Sequence, residues 1–218
     1  MEAFPSPYIH IGGDEACKDE WIVSPRMQQR IRELGLADER QLQGHIITQM
    51  DAFLASRGRR LIGWDEILES NLTSFATVMS WRAASHSQAA VSRGHDLVVC
   101  EKDYTYLDFY QSEDTTRSEP LAIHGCLTLE KAYQFNPLAS HIPREHAHHV
   151  LGGQAQVWTE YIPDTDHLYY MFYPRAMAIA EALWSQPEGH DFQFFRRRAA
   201  DHMRILHRLG LHGRPMDI

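Results

Sequence analysis

"YIHIGGDEACKDEW", residues Tyr8 to Trp21, sets a short β-branched and aromatic run against two glycines and then two adjacent acids, Asp14 and Glu15. An apolar run that stops at Gly-Gly and then turns charged reads as a strand whose C-terminal end opens into a turn. The same grammar recurs down the chain. RLIGW (60–64), ATVMSW (76–81), DLVVCE (96–101) and VLGGQAQVW (150–158) are further short apolar runs, separated by longer stretches of helical character. That alternation predicts βα units, an α/β fold with a parallel sheet and outer helices.

The helices between the runs are punctuated. Ser24-Pro25 reads as an N-cap followed by the first helical residue, with Gly35 as the stop, and Asp38 and Gly58 bracket the next helix. Asp166 is expected to open a helical region running towards Trp184 and interrupted near Pro174, and Asp191 to cap a last helix ending near Gly210. With no linker or low-complexity tract in view, residues 1–218 read as a single domain.

Charge and cysteine usage exclude some functions. The chain has 218 residues and a formal net charge of -8. Its Lys and Arg are scattered, whereas a nucleic-acid surface needs them clustered. The one basic cluster, Arg196 to Arg198, is expected to be a solvated helix face. No apolar stretch is long enough for a membrane span. Cys17, Cys100 and Cys126 are odd in number and irregularly spaced, which favours neither a disulfide framework nor a zinc site. A reduced, cytoplasmic setting is the default, and MEAFPSPY lacks the form of a signal peptide.

The informative regularity lies at the end of each run, in GGDE, WDE, WRA, EKDYTYLD and WTE. In a parallel βα sheet the C-terminal strand ends open onto one face, which is where such folds keep their chemistry. An isolated acidic pair is more often a cap or solvated turn, and an isolated Trp is usually core. Their joint recurrence at one set of strand ends predicts a pocket of carboxylates and tryptophans instead. Tryptophan faces suit the apolar faces of sugar rings, and carboxylates accept hydrogen bonds from hydroxyls. Glycoside cleavage needs an acid for the leaving oxygen and a second group to meet positive charge at the anomeric carbon, work that Asp14 and Glu15 could divide.

Taken in order, HIGGDE, GWDE, SWR, YLD and GGQAQVWTE resemble glycoside hydrolase family 20, the β-N-acetylhexosaminidases, from Tyr8 to the closing GLHGRPMDI. The resemblance implies a (β/α)8 TIM barrel and a retaining, substrate-assisted mechanism that removes terminal β-linked N-acetylglucosamine or N-acetylgalactosamine. It implies Glu15 as general acid and then base, and Asp14 as the group that orients the substrate's acetamido nucleophile. Tyr106 would hydrogen-bond the acetamido oxygen, Asp108 and Glu160 would hold ring hydroxyls, and Trp64, Trp81 and Trp158 would wall the sugar. No cofactor or metal is implied.

Other residues read as support. His10 is either near the acids or a satisfied core histidine, Asp65 and Glu66 are expected to brace rather than react, and Gly12-Gly13 and Gly152-Gly153 to permit bends. His146, His148 and His149 read as a solvated loop before a strand. About five strands are visible where a whole barrel has eight, so the expectation is a partial barrel made of about the last five βα units. It would lack the strands that in the family carry an arginine on the sugar hydroxyls and a histidine near the acids. An open sheet side calls for cover, so a homodimer or higher homo-oligomer is expected; the alternative to the hydrolase reading is a catalytically impaired or inactive barrel fragment that self-associates and at most binds N-acetylhexosamines.

Overall fold

The structure, a computed structural model, describes residues 3–73, 75–114, 119–139, 141–185 and 189–216. Asp217 and Ile218, the end of the closing GLHGRPMDI, lie outside the described residues. In chain order the elements are β1 (Tyr8–His10), α1 (Asp19–Val23), α2 (Pro25–Glu33), α3 (Glu39–Ser56), β2 (Arg60–Trp64) and a 3-10 turn (Asp65–Glu69). Next come β3 (Thr77–Ser80), α4 (Ala84–Ser92), β4 (Asp96–Val99), α5 (Lys102–Thr105), β5 (Phe109–Tyr110), β6 (Ile123–Cys126) and α6 (Leu129–Tyr133). A second 3-10 turn (Arg144–His149), β7 (Val150–Gly153), α7 (Thr165–Phe172), α8 (Arg175–Trp184) and α9 (Phe192–Arg208) complete the order.

These elements gather into two compact units, one of Met1–Val99 with Ser140–Leu151 and one of Cys100–Ala139 with Gly152–Ile218. The main sheet has the order β1-β2-β3-β4-β7. β1, β2, β3 and β4 pair in parallel, with Ile9 opposite Leu61, Gly63 opposite Val78 and Met79 opposite Val98. Every residue of β3 is buried, which is how a strand covered on both faces of a parallel sheet reads. Leu61, Val78, Leu97 and Val99 are at most 1% exposed, and Ile31, Leu42, Ile47 and Leu54 supply the helix side of that core. Each such side chain contributes about 1.5–3 kcal/mol by leaving water.

The second unit has its own core around Leu107, Leu127, Met171, Ile179 and Phe195. The Tyr133 ring stacks on Phe195 with centroids 4.7 Å apart. A short parallel pair, β5 with β6, was not foreseen; its two- and four-residue strands are too brief for a period to show.

Most boundaries follow their sequence signals. Ser24 accepts from the Met27 N–H with Pro25 at the first helical position, Asp38 caps α3 through the Gln41 N–H, and Asp191 caps α9 through the Phe194 N–H. The helix before Pro174 starts earlier than expected, because Asp164, not Asp166, accepts the His167 N–H at 2.8 Å. The VLGGQAQVW run is a ladder strand only to Gly153 and continues as a single parallel bridge between Tyr106 and Gln156. The glycine pair breaks its regular pairing.

Candidate active site

The first unit holds the acidic pair. β1 runs into Gly12 (φ 71°) and Gly13 (φ 109°), and a Cβ on Gly13 would meet Ile67 Cγ2 at 2.9 Å. Only glycine combines that backbone with that approach. Asp14 and Glu15 follow at the exposed tip. Glu15 itself sits at φ 44°, a left-handed conformation that a non-glycine residue holds only when its surroundings impose it.

The two glycines before it are braced. His10 Nδ1 accepts the Gly12 N–H at 3.0 Å, and Gln43 from α3 donates to the Gly13 carbonyl at 2.9 Å. The Gly12 carbonyl accepts from Trp64 N–H, and a Cβ on Gly63 would lie 2.7 Å from that same carbonyl oxygen. His10 therefore braces the turn. Its ring meets Trp64 edge-on at 5.2 Å, and desolvation pulls its pKa below the ordinary value against the opposing charge of Asp14.

Trp64 is 8% exposed, so it presents little free ring surface, and Trp81 is half-buried. A dense brace holds Trp81. Asp65, fully buried, accepts the Trp81 N–H at 2.8 Å, the Arg82 N–H at 3.1 Å and the Arg82 guanidinium. Glu66 accepts the Trp81 indole N–H at 3.1 Å and lies 3.6 Å from Arg82. Burial raises the Glu66 pKa, with the Trp81 hydrogen bond and Arg82 opposing the rise. Arg82 carries no role in the sequence reading, although it stands in the quoted SWR. Beside this brace, Gly13, Glu15, Lys18, Gln43, Glu66 and Arg82 line a cavity of about 280 Å³.

The second unit holds the other candidates. Leu107 N–H donates to the Gln156 carbonyl at 2.8 Å and Gln156 N–H to the Thr105 carbonyl at 2.9 Å, so the YTYLD and QAQVW segments run side by side. This brings Tyr106 and Trp158 within 6.5 Å, centroid to centroid. Tyr106 is 8% exposed and Trp158 38%, so the tryptophan is the more exposed of the two rings.

Asp108 is 4% exposed, with its Oδ1 unpartnered among the described residues. Desolvation pushes its pKa up to about 6, with Glu160 adding to the rise, while its own and the Trp158 backbone N–H groups and Arg175 oppose it. Glu160 is exposed. An unpartnered buried carboxylate oxygen is costly and marks a place for a donor.

His146, His148 and His149 lie directly before β7 in the 3-10 turn Arg144–His149, none of them buried, and His149 Nδ1 lies 3.3 Å from Asp96, which Arg60 also contacts at 2.9 Å. Among the described residues no group of three or more His, Cys, Asp or Glu side chains is arranged to hold a metal ion. No helix among them is long and apolar enough to cross a membrane.

Comparison with known proteins places the chain in a family. A family model described as glycosyl hydrolase family 20, catalytic domain, matches residues 1–187. A beta-hexosaminidase of Porphyromonas gingivalis is 43% identical over 211 residues, covering 96% of this chain and 26% of that protein. One from Akkermansia muciniphila is 33% identical, covering 94% and 41%. The crystal structure of an exo beta-N-acetylglucosaminidase from Vibrio harveyi, in complex with N-acetylglucosamine, superposes with a TM-score of 0.87 at 31% identity, covering 98% of this chain and 34% of that one. The chain thus spans between about a quarter and two fifths of the length of these relatives. Its parallel βα units match as a partial barrel of the same α/β fold. With the GGDE turn, the GWDE brace and the YLD and WTE segments all falling inside the match, the chain belongs to glycosyl hydrolase family 20.

Proposed function

We propose that this chain carries the acid-base machinery of an exo-acting β-N-acetylhexosaminidase working by retaining, substrate-assisted catalysis. The carrying observation is the acidic pair at the tip of a braced strand-end turn, with Glu15 held at φ 44°. In this reading the substrate's acetamido oxygen attacks the anomeric carbon as the glycosidic bond breaks, and Glu15 gives its proton to the departing oxygen. Asp14 orients the acetamido N–H and balances the charge that grows on the oxazolinium ring. Glu15, now a carboxylate, then takes a proton from the water that opens the ring.

Tyr106 hydrogen-bonds the acetamido oxygen, Asp108 and Glu160 accept from ring hydroxyls, and Trp64, Trp81 and Trp158 wall the sugar. The Oδ1 of Asp108, unpartnered among the described residues, supports the hydroxyl role, and the exposure of Trp158 supports stacking. Terminal N-acetylglucosamine or N-acetylgalactosamine residues of glycans are the substrates, a class supported by the names of the relatives. This chemistry uses no cofactor. The test is hydrolysis of an aryl N-acetyl-β-glucosaminide by the purified chain beside Glu15→Gln. Turnover that falls at least ~100-fold in the variant supports the reading. No turnover, with thermal stabilisation by N-acetylglucosamine, reduces the chain to a sugar-binding module.

Self-association is part of the same proposal. Ile46, Met50 and Phe53 form one exposed apolar stripe on α3, at 43%, 46% and 51% exposure, and β1 ends the sheet. A second copy is the proposed cover for these features. Sedimentation should give a dimer or larger species that Phe53→Lys shifts towards monomer; a monomer at every concentration contradicts it.

A further inference from the structure

Arg175, at the start of α8, is fully buried, yet among the described residues none of its hydrogen bonds goes to a carboxylate. Its guanidinium donates to four main-chain carbonyls: Leu107, Phe109 at 3.0 Å, Leu127 at 3.0 Å and Met171 at 2.7 Å. Two of these belong to the residues on either side of Asp108. The guanidinium is also the cation whose charge acts on the Asp108 carboxylate. Burying a cation among carbonyls is expensive, and an apolar side chain would fill the volume at less cost. The feature an apolar residue lacks is a rigid planar fork that fixes several carbonyls at once and leaves a positive charge beside one carboxylate.

We propose that Arg175 is a positioning residue for sugar recognition, its guanidinium clamping the Leu107 and Phe109 carbonyls so that Asp108 is held ready for a ring hydroxyl. The inference rests on the reading of Asp108 as a hydroxyl acceptor and adds the residue that controls it. The three parts fit together. The backbone on both sides of Asp108 is tied to one side chain, the Trp158 N–H holds the carboxylate, and Oδ1 stays without a partner among the described residues. A lysine in place of Arg175 keeps the charge but cannot span these carbonyls, so Arg175→Lys separates the clamp from the charge.

The experiment is calorimetric titration of the full chain, as wild type, Asp108→Asn and Arg175→Lys, with N-acetylglucosamine and with its 4-deoxy and 6-deoxy analogues. The analogue insensitive to Asp108→Asn identifies the hydroxyl Asp108 holds. Arg175→Lys is expected to weaken binding of the parent sugar about 10-fold or more while changing that analogue less than about twofold, since each misplaced hydrogen bond costs affinity only where the hydroxyl exists. Equal weakening of both sugars, or no weakening, overturns the inference and leaves the functional reading standing. Absence of sugar binding by the wild type overturns the functional reading, and the inference with it.

Should Arg175→Lys not fold, the coupling is read in the wild type. Glu160 also faces Asp108, and Arg214, Cys126 and Glu119 face Arg175, so the control is Asp108→Asn. The Arg175 side-chain nitrogen resonance is expected to inflect with the Asp108 carboxyl as pH is varied, and to lose that inflection in Asp108→Asn. An inflection that persists in the variant overturns the proposal.

Discussion

The candidate residues fall into two halves, one in each compact unit, that solve opposite problems. The GGDE turn exposes its acids and stores its cost in the backbone, with Glu15 at φ 44° and the Gly12 carbonyl so near Gly63 that a Cβ there would lie 2.7 Å from it. The Asp108 segment adopts ordinary backbone, and its cost is electrostatic, a carboxylate at 4% exposure opposed by a buried cation. Under the proposed roles, the groups that would exchange protons with a substrate sit exposed on a strained turn, and the group that would only bind is hidden and tuned by burial. If this contrast is right, mutations in the first half should act through geometry at any pH, and mutations in the second should act through charge and depend on pH.

The largest effect is expected at Asp65. Asp65→Ala strips the Trp81 and Arg82 N–H groups and the Arg82 guanidinium of a buried acceptor, and should cost roughly 3–5 kcal/mol in denaturant unfolding. A loss under about 1 kcal/mol would mean that the brace is not structural. Next, Gly63→Ala drives a methyl to 2.7 Å from the Gly12 carbonyl and 2.8 Å from Ile67, at a cost of roughly 1–3 kcal/mol that should not vary between about pH 5 and 8.

Asp108→Asn should do the reverse. Its folded pKa of about 6 lies above the unfolded value of 3.8, so the wild type gains stability as pH falls through 6 and carries the penalty above it. The amide should therefore stabilise the fold by on the order of 1–2 kcal/mol at about pH 8, with the gain fading towards about pH 4. Destabilisation under the alkaline condition would put Asp108 on the side of the strained half. The smallest effect is at Glu15, where Glu15→Asn, better suited to left-handed backbone, should raise stability by about 0.5–1 kcal/mol while removing the acid.

Much of this is legible in the sequence because strand and helix signals are local. YIHI, RLIGW, TVMS and DLVV carry their own period and punctuation, and Ser24-Pro25, Asp38 and Asp191 carry their own caps. Asp14 and Glu15 stand out only because acids and tryptophans recur at several strand ends; alone, the pair would read as a cap or a solvated turn. The braces are less legible. Asp65 and Glu66 can be named as support, but their bonds to Trp81 and Arg82 join residues some sixteen positions apart. Arg175 carries one faint signal, a lone cation in the apolar run of PRAMAIAEALW. Its four acceptors are main-chain carbonyls, which leave no mark in side-chain identity. The Asp164 cap escapes a sequence reading because two acids two residues apart offer the same chemistry, and only backbone geometry chooses between them.

The most direct test of the account is the configuration of the first sugar released. Proton NMR of an aryl N-acetyl-β-glucosaminide reaction, tracked from the first minutes, should show the β-anomer of N-acetylglucosamine forming before mutarotation, with Asp14→Asn and Glu15→Gln each slowing its appearance by about 100-fold or more. Initial release of the α-anomer, or product formation that Glu15→Gln slows by less than about 100-fold, would contradict an acid pair that divides its work between the leaving group and the substrate's own nucleophile.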